Sequence, residues 1–173
     1  MTLKLFILAL LQLGLSLVLV ILVTFLTFKM IKLLIMKKHG ITYQNKAFAW
    51  LAAGIIFSVG YMVSGVIQPL LHVLRILDNS DKDTTVVIGQ IVLYSLLFIG
   101  LGFVIAFLVV LAGMYIFNWL NSTVDELKEI AQNNEAVGII VGVIVIVVAV
   151  LVKDSAVMLL ESMIPYPTVP MIR

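Results

Sequence analysis

Few side chains in this sequence are of the types that carry out catalysis. The chain has no cysteine, and its histidines, His39 and His72, are too far apart in the sequence to form a metal-ligand pair with a usual spacing. The sequence contains no Ser-His-Asp set, no HExxH helix and no phosphate-binding glycine loop. It therefore predicts a protein that is not an enzyme and that has no cofactor and no metal.

Lys153 and Asp154 form the pair with the greatest chemical interest, because ionisable side chains within a bilayer are costly and usually functional. Lys153 follows Ala136 by 17 residues, which is about 25 Å along a helix. In a hydrocarbon core ~30 Å thick, that depth is close to the far edge, where a lysine can extend to water. Three interpretations remain open: an interface anchor, an ion pair between helices or subunits, and part of an ion pathway.

A short acidic segment contains Asp78, Asp81 and Asp83. Calcium loops place their ligands at fixed positions around a required glycine, and this segment has neither the spacing nor the glycine. We expect it to be a solvent-exposed loop.

The composition is that of a chain surrounded by lipid. Hydrophobic residues make up 63% of the sequence and charged residues only 12%, with a mean hydropathy of +1.24. A soluble domain has roughly 25% charged residues, so we expect membrane lipid to cover this chain. The net charge of +2 is too small and too scattered to indicate a nucleic-acid partner.

Four apolar segments exceed the ~20 residues that a helix needs to cross a bilayer. The first is too long for the ~7–15-residue core of a signal peptide, so we interpret it as a retained span. The sequence thus predicts an all-α polytopic membrane protein with a single membrane domain over residues 1–173. The predicted spans are Leu5–Ile35, Ala47–Leu77, Val86–Leu120 and Ala136–Ile164.

The charges between these spans predict an orientation. The first loop and its flanks are rich in lysine, with Lys29, Lys32, Lys37 and Lys38 among them. Loops rich in lysine and arginine face the cytoplasm. Four spans then place both termini outside the cytoplasm.

Two helix starts, 89 residues apart, share a pattern of an asparagine, an alanine and two small residues four positions apart. The asparagines can cap the helices that they open, and small residues on one face allow two helix backbones to come close together. The pattern predicts two tandem two-helix repeats, over about 1–80 and 85–173. Its residues are Asn45, Ala47, Ala49 and Ala53 in the first repeat and Asn134, Ala136, Gly138 and Gly142 in the second.

The third loop has the sequence of a short amphipathic helix. Thr123 and Glu126 fit a capping box, and Leu127 and Ile130 follow with helical spacing. Its apolar face is expected to pack on the ends of the spans, and docking of a cytoplasmic partner is the alternative.

At these motifs the chain resembles bacterial inner-membrane proteins of the Domain of Unknown Function 350 family. The matching stretches are 45–54 and 126–142, where the family has an Asn-x-Ala motif with a glycine, here Gly54 and Gly142, about two turns further on. The resemblance covers the layout from Leu5 to Val152 and implies a bacterial inner-membrane location and an envelope protein as a partner. It implies no activity.

Two hypotheses about function follow. The first is a non-catalytic membrane subunit that packs through its small-residue faces into homo-oligomers or against an envelope partner. The second is an ion channel or a component of a small-solute transporter, which broken helices and polar groups at mid-membrane depth would support.

Overall fold

The described part of the chain is helical. A computed structural model describes residues 2–78, 84–121 and 125–164, and within them it contains no strand. A π-helical turn, Lys32–Met36, joins the first two helices. The α-helices are α1 (Thr2–Ile31), α2 (Lys37–His39), α3 (Lys46–Ser64), α4 (Ile67–Asp78), α5 (Thr84–Leu120), α6 (Glu126–Ala131) and α7 (Glu135–Glu161).

Four helical stretches are long and apolar enough to cross a membrane, which confirms the predicted all-α, four-span fold. Each exceeds the ~20 residues that a bilayer requires. In the described residues these stretches are Ser16–His39, Lys46–Leu77, Gly89–Leu120 and Glu135–Glu161.

Helix α3 is the centre of the bundle, where it packs against α1, α5 and α7. Its span is 56% buried, whereas the other three are between 28% and 33% buried. Large apolar side chains along one side of α3, including Phe48, Leu51, Ile55 and Met62, are almost fully buried. The more exposed apolar surfaces of the other helices are suited to lipid.

Helices α3 and α7 run parallel, side by side. Ala47 in the first turn of α3 lies against Gly138 in the first turn of α7. At the other end of α3, Ser64 lies beside Lys153, which is equally far along α7. Both helices therefore begin at the same end of the bundle.

The second predicted span is not one continuous helix but two, α3 and α4. The interruption lies at Gly65 and Val66, just before Pro69 in the first turn of α4. Proline has no N–H to donate to the carbonyl four residues earlier, and its ring clashes with that carbonyl. The interruption therefore lies about one turn upstream of Pro69, at the carbonyl that a residue with an N–H would have bonded.

Two helix boundaries differ from those predicted. Asp125, rather than Thr123, caps α6, and its carboxylate accepts a hydrogen bond from the backbone N–H of Lys128 at 3.2 Å. Helix α7 ends at Glu161, and the chain continues through a turn to Ile164. The predicted cap Thr123 lies outside the described residues, as do Asp81 and Asp83 of the acidic segment.

Candidate functional site

Asn45 caps α3 and also connects it to α6. Its backbone is extended, and its side-chain oxygen accepts a hydrogen bond from the N–H of Phe48 at 2.7 Å. Its side-chain Nδ2 donates to the carbonyls of Ile130, at 2.6 Å, and Ala131, at 3.4 Å. Because Asn45 is only 9% exposed, these bonds are largely shielded from water.

Asn133 supplies a second cap to α3 from the other half of the chain. Its side-chain oxygen accepts hydrogen bonds from the N–H groups of Lys46, at 2.8 Å, and Ala47, at 3.2 Å. Its φ of +65° lies in the left-handed region, which asparagine tolerates better than most residues. This role was not predicted from the sequence, although the Asn-Asn pair before α7 is typical of a left-handed turn followed by a cap.

Asn134 is the N-cap of α7. Its side-chain oxygen accepts from the N–H of Val137 at 3.5 Å, and its Nδ2 donates to the Glu129 carboxylate at 2.8 Å. Ala136, the alanine of the same motif, is exposed and makes no close helix contact of the kind seen at Ala47. The two copies of the motif therefore occupy different environments.

An exposed ion pair joins the first turns of α3 and α7. Lys46 Nζ lies 3.7 Å from Glu135 Oε1, and the two side chains are 73% and 45% exposed. An ion pair in water contributes little to stability, so the asparagines and the backbone packing below them are the stronger connection.

Gly138 allows the backbones of α3 and α7 to touch. A Cβ added at Gly138 would collide with the carbonyl oxygen of Ala47 and lie 2.9 Å from Ala47 Cα. Gly54 and Gly142 make a similar contact one to two turns further on, where a Cβ on Gly54 would lie 2.7 Å from Gly142 Cα. These glycines therefore hold the two halves of one chain together.

Ala49 and Ala53 do not contribute to this contact within the chain. Both are exposed, whereas Ala47 and Gly54 on the same helix are buried. Position 47 is two residues before position 49, which rotates it by about 200° around the helix. The sequence thus identified the right helix but the wrong face for packing within the chain.

Lys153 contacts the end of α3, close to the interruption. Its Nζ donates to Ser64 Oγ at 3.1 Å and lies 4.0 Å from the ring centroid of Tyr61. The lysine stem fits against Gly65, where an added Cβ would lie 3.3 Å from Lys153 Cε. Lys153 therefore connects α7 to the last turn of α3.

Asp154 is exposed, and the structure shows no ion pair between it and Lys153. Further along, His72 of α4 and Glu161 of α7 approach to 3.9 Å, with side chains 39% and 38% exposed. That pairing was not predicted from the sequence, because it depends on the direction that α4 takes after the interruption.

Helix α6 packs on the bundle. Ile130 is fully buried, and Glu126 is 9% exposed. Within residues 2–78, 84–121 and 125–164, no three His, Asp or Glu side chains gather in a way that could hold a metal ion. The arrangement as a whole joins helices through caps and close backbone contacts.

A comparison with models of protein families finds one that covers most of the chain. The model of the Domain of Unknown Function (DUF350) matches residues 1–156. The chain belongs to the DUF350 family. The match extends beyond the predicted limit at Val152 and so includes Lys153 and Asp154. Searches of curated proteins and of solved structures returned no match.

Proposed function

We propose that this DUF350 protein is a non-catalytic membrane subunit that assembles through α3 with a second copy of itself. The observation that supports the proposal is a short row of small residues on the central helix that the described part of the chain leaves exposed. Ala49 and Ala53 are both exposed and lie one turn apart on one face of α3. Helices associate in lipid chiefly through close packing at small residues.

The same face of α3 carries the large side chains that could fill such a row. Trp50 is 53% exposed and Phe57 is 54% exposed, and the two are separated by two helical turns. They lie beside the row formed by Ala49 and Ala53. In a dimer with a two-fold axis, Trp50 and Phe57 of each copy could pack over Ala49 and Ala53 of the other. Such an interface uses the same patch of both copies.

The lipid-facing side of α7 has a different character. It presents large aliphatic side chains, among them Ile140, Val143, Val147 and Leu151. Such a surface resembles lipid tails and gains little by leaving them. We therefore assign the interface to α3, and we assign Gly138 and Gly142 to packing within one chain.

The test is the molar mass of the purified protein in detergent. The double substitution Ala49→Leu and Ala53→Leu should reduce the protein mass in the complex to that of one chain, 19.1 kDa. The matched control, Val143→Leu and Val147→Leu, makes the same kind of change on α7 and should leave the oligomer intact. Equal masses for the two variants would count against the α3 interface.

We propose a bacterial inner-membrane location with the lysine-rich end of the bundle in the cytoplasm and both termini outside. The charge distribution around the first loop supports this orientation. The test is a fusion of the C-terminus to a reporter enzyme that works only outside the cytoplasm. We expect this reporter to be active, and an inactive reporter in a stable fusion would show that the orientation is reversed.

The 89-residue spacing of Asn45 and Asn134, both at N-caps, supports descent from a tandem repeat.

A channel or transporter is the second candidate, and the interrupted second span favours it. Lys153 binds at the interruption, beside Ser64 and Tyr61, and broken helices form the binding sites of many transporters. An ion-flux assay in proteoliposomes tests this function. Flux that is lost in Lys153→Ala or Asp154→Asn would replace the subunit proposal, and the absence of flux in the unmodified protein would remove this candidate.

A further inference from the structure

A lateral cleft opens between α1 and α5, on the floor formed by α3. Its volume is about 160 Å³, and its lining includes Thr27, Leu34, Ile55, Phe107, Met114 and Leu127. Helix α6, which contributes Leu127, contacts the end of the cleft that lies nearest the lysine-rich loop. The cleft arises because α1 packs mainly on α3 and leaves a gap towards α5.

The lining of the cleft is almost entirely apolar, so it is suited to a hydrocarbon chain. Thr27 supplies the hydroxyl of the lining, and that hydroxyl already donates to the carbonyl of Val23 at 2.7 Å. An apolar cavity of about 150 Å³ stays free of water and takes up a molecule such as benzene. Met30 and Met114 give the wall adaptable side chains that can follow the shape of a flexible chain.

The π-helical turn lies at this cleft. Two of its residues, Leu34 and Ile35, are part of the lining. Single π turns inside α-helices are rare and frequently occur at functional sites. This observation is independent of the cleft's volume and points to the same location.

Exposed lysines lie around the end of α1 beside the cleft, namely Lys29, Lys32, Lys37 and Lys38. These four lysines outnumber the acidic residues Asp125, Glu126 and Glu129 of α6, which contacts α2. Lys38 follows the lining residue Leu34 by about one helical turn. Basic pockets between membrane helices bind the head groups of anionic lipids.

We propose that this cleft is a binding site for an anionic phospholipid of the leaflet at the lysine-rich end. One acyl chain lies between α1 and α5. Lys32, Lys37 and Lys38, at the lysine-rich end of the cleft, hold the phosphate head group. The lipid fills the gap between α1 and α5 and fixes α1 in the bundle. The proposal does not depend on the α3 interface.

Native mass spectrometry of the full chain in detergent micelles tests this site, with dioleoyl phosphatidylglycerol and dioleoyl phosphatidylcholine as probes. The unmodified protein should retain one phosphatidylglycerol at a lower lipid concentration than it needs for phosphatidylcholine. Replacing Lys32, Lys37 and Lys38 with glutamine should weaken retention of phosphatidylglycerol, by about fivefold for each lysine that contributes, and leave phosphatidylcholine unchanged. Lys46→Gln, at the same end but on α3, is the control.

The chain-binding part is tested separately. Val110→Phe fills the cleft from α5 and should weaken the retention of both lipids at least fivefold. Val104→Phe, on the exposed side of α5, should leave the retention of both lipids unchanged. Because Val110 is buried and its variant could unfold, Leu111→Trp at the exposed rim provides a second blockage. Equal retention of the two lipids by the unmodified protein would overturn the head-group site. Unchanged retention in a folded cleft variant would overturn the acyl-chain site.

Discussion

At the scale of single residues, Asn45 and Asn133 connect two helix starts that are far apart in the sequence. Asn45 satisfies both the N–H of Phe48 in its own helix and the carbonyl of Ile130 in α6. Asn133 in turn accepts from the N–H groups at the start of α3. The first turn of α3 thus depends on both halves of the chain, because the orphan N–H groups of a helix start need acceptors.

Substitutions at Asn45 can separate its two roles. Asn45→Asp keeps the acceptor for Phe48 and loses the donor for Ile130, whereas Asn45→Ala loses both. We expect the free energy of unfolding to fall by about 1–2 kcal/mol for the alanine variant. The loss should be larger for aspartate, because its second carboxylate oxygen would face the buried carbonyls of Ile130 and Ala131. Thermal unfolding in detergent measures the order, and an aspartate variant as stable as the unmodified protein would show that the bond to α6 contributes nothing.

Gly138→Ala should destabilise the protein, although alanine is normally the better helix former by about 1 kcal/mol. The added methyl group would collide with the Ala47 carbonyl and force α3 and α7 apart. Overpacking of this kind costs about 1–3 kcal/mol. The control is Gly100→Ala on α5, where an added Cβ meets nothing within 4 Å, and it should be neutral or stabilising. The melting temperature should therefore fall for Gly138→Ala and stay unchanged or rise for Gly100→Ala, and an equal change in both variants would refute the contact.

At the scale of helices, hydropathy and length were sufficient to predict the four spans. The break in the second span was foreseeable from Pro69, since the effect of proline on a helix is local. Sequence periodicity could not choose between Ala47 and Ala49 for the close contact. Both are small, and their difference arises only from the direction in which α7 lies. The left-handed turn at Asn133 was missed for a related reason, because its hydrogen bonds reach residues more than 80 positions away.

Lys153→Met should loosen the contact between α7 and the last turn of α3. The change removes the hydrogen bond to Ser64 and the approach of the ammonium group to the Tyr61 ring, while the stem against Gly65 remains. We expect the free energy of unfolding to fall by about 1 kcal/mol, which is within the range of cation–π contacts. Asp154→Asn is the matched control, and because Asp154 is exposed its melting temperature should be unchanged. Identical effects of the two substitutions would leave Lys153 without a structural role.

At the scale of the whole molecule, a central helix with one exposed face organises the bundle. Helix α3 meets α1, α5 and α7, and its exposed face combines the small residues Ala49 and Ala53 with the aromatic side chains of Trp50 and Phe57. The sequence predicted that small residues would bring helices together. In the structure Gly138 brings α3 and α7 of one chain together, and Ala49 and Ala53 lie on the exposed face that we propose a second chain covers.

Single-cysteine crosslinking in native membranes tests assembly through this face most directly, because the chain has no cysteine of its own. Copies inserted in the same orientation share a two-fold axis normal to the membrane, which brings equivalent positions of α3 together. A disulfide forms only when the two Cα atoms are within about 7 Å of each other. We predict that Ala53→Cys yields a covalent dimer on mild oxidation and that Val147→Cys on α7 does not. Crosslinking at Ala53 no greater than at Val147 would contradict assembly through α3.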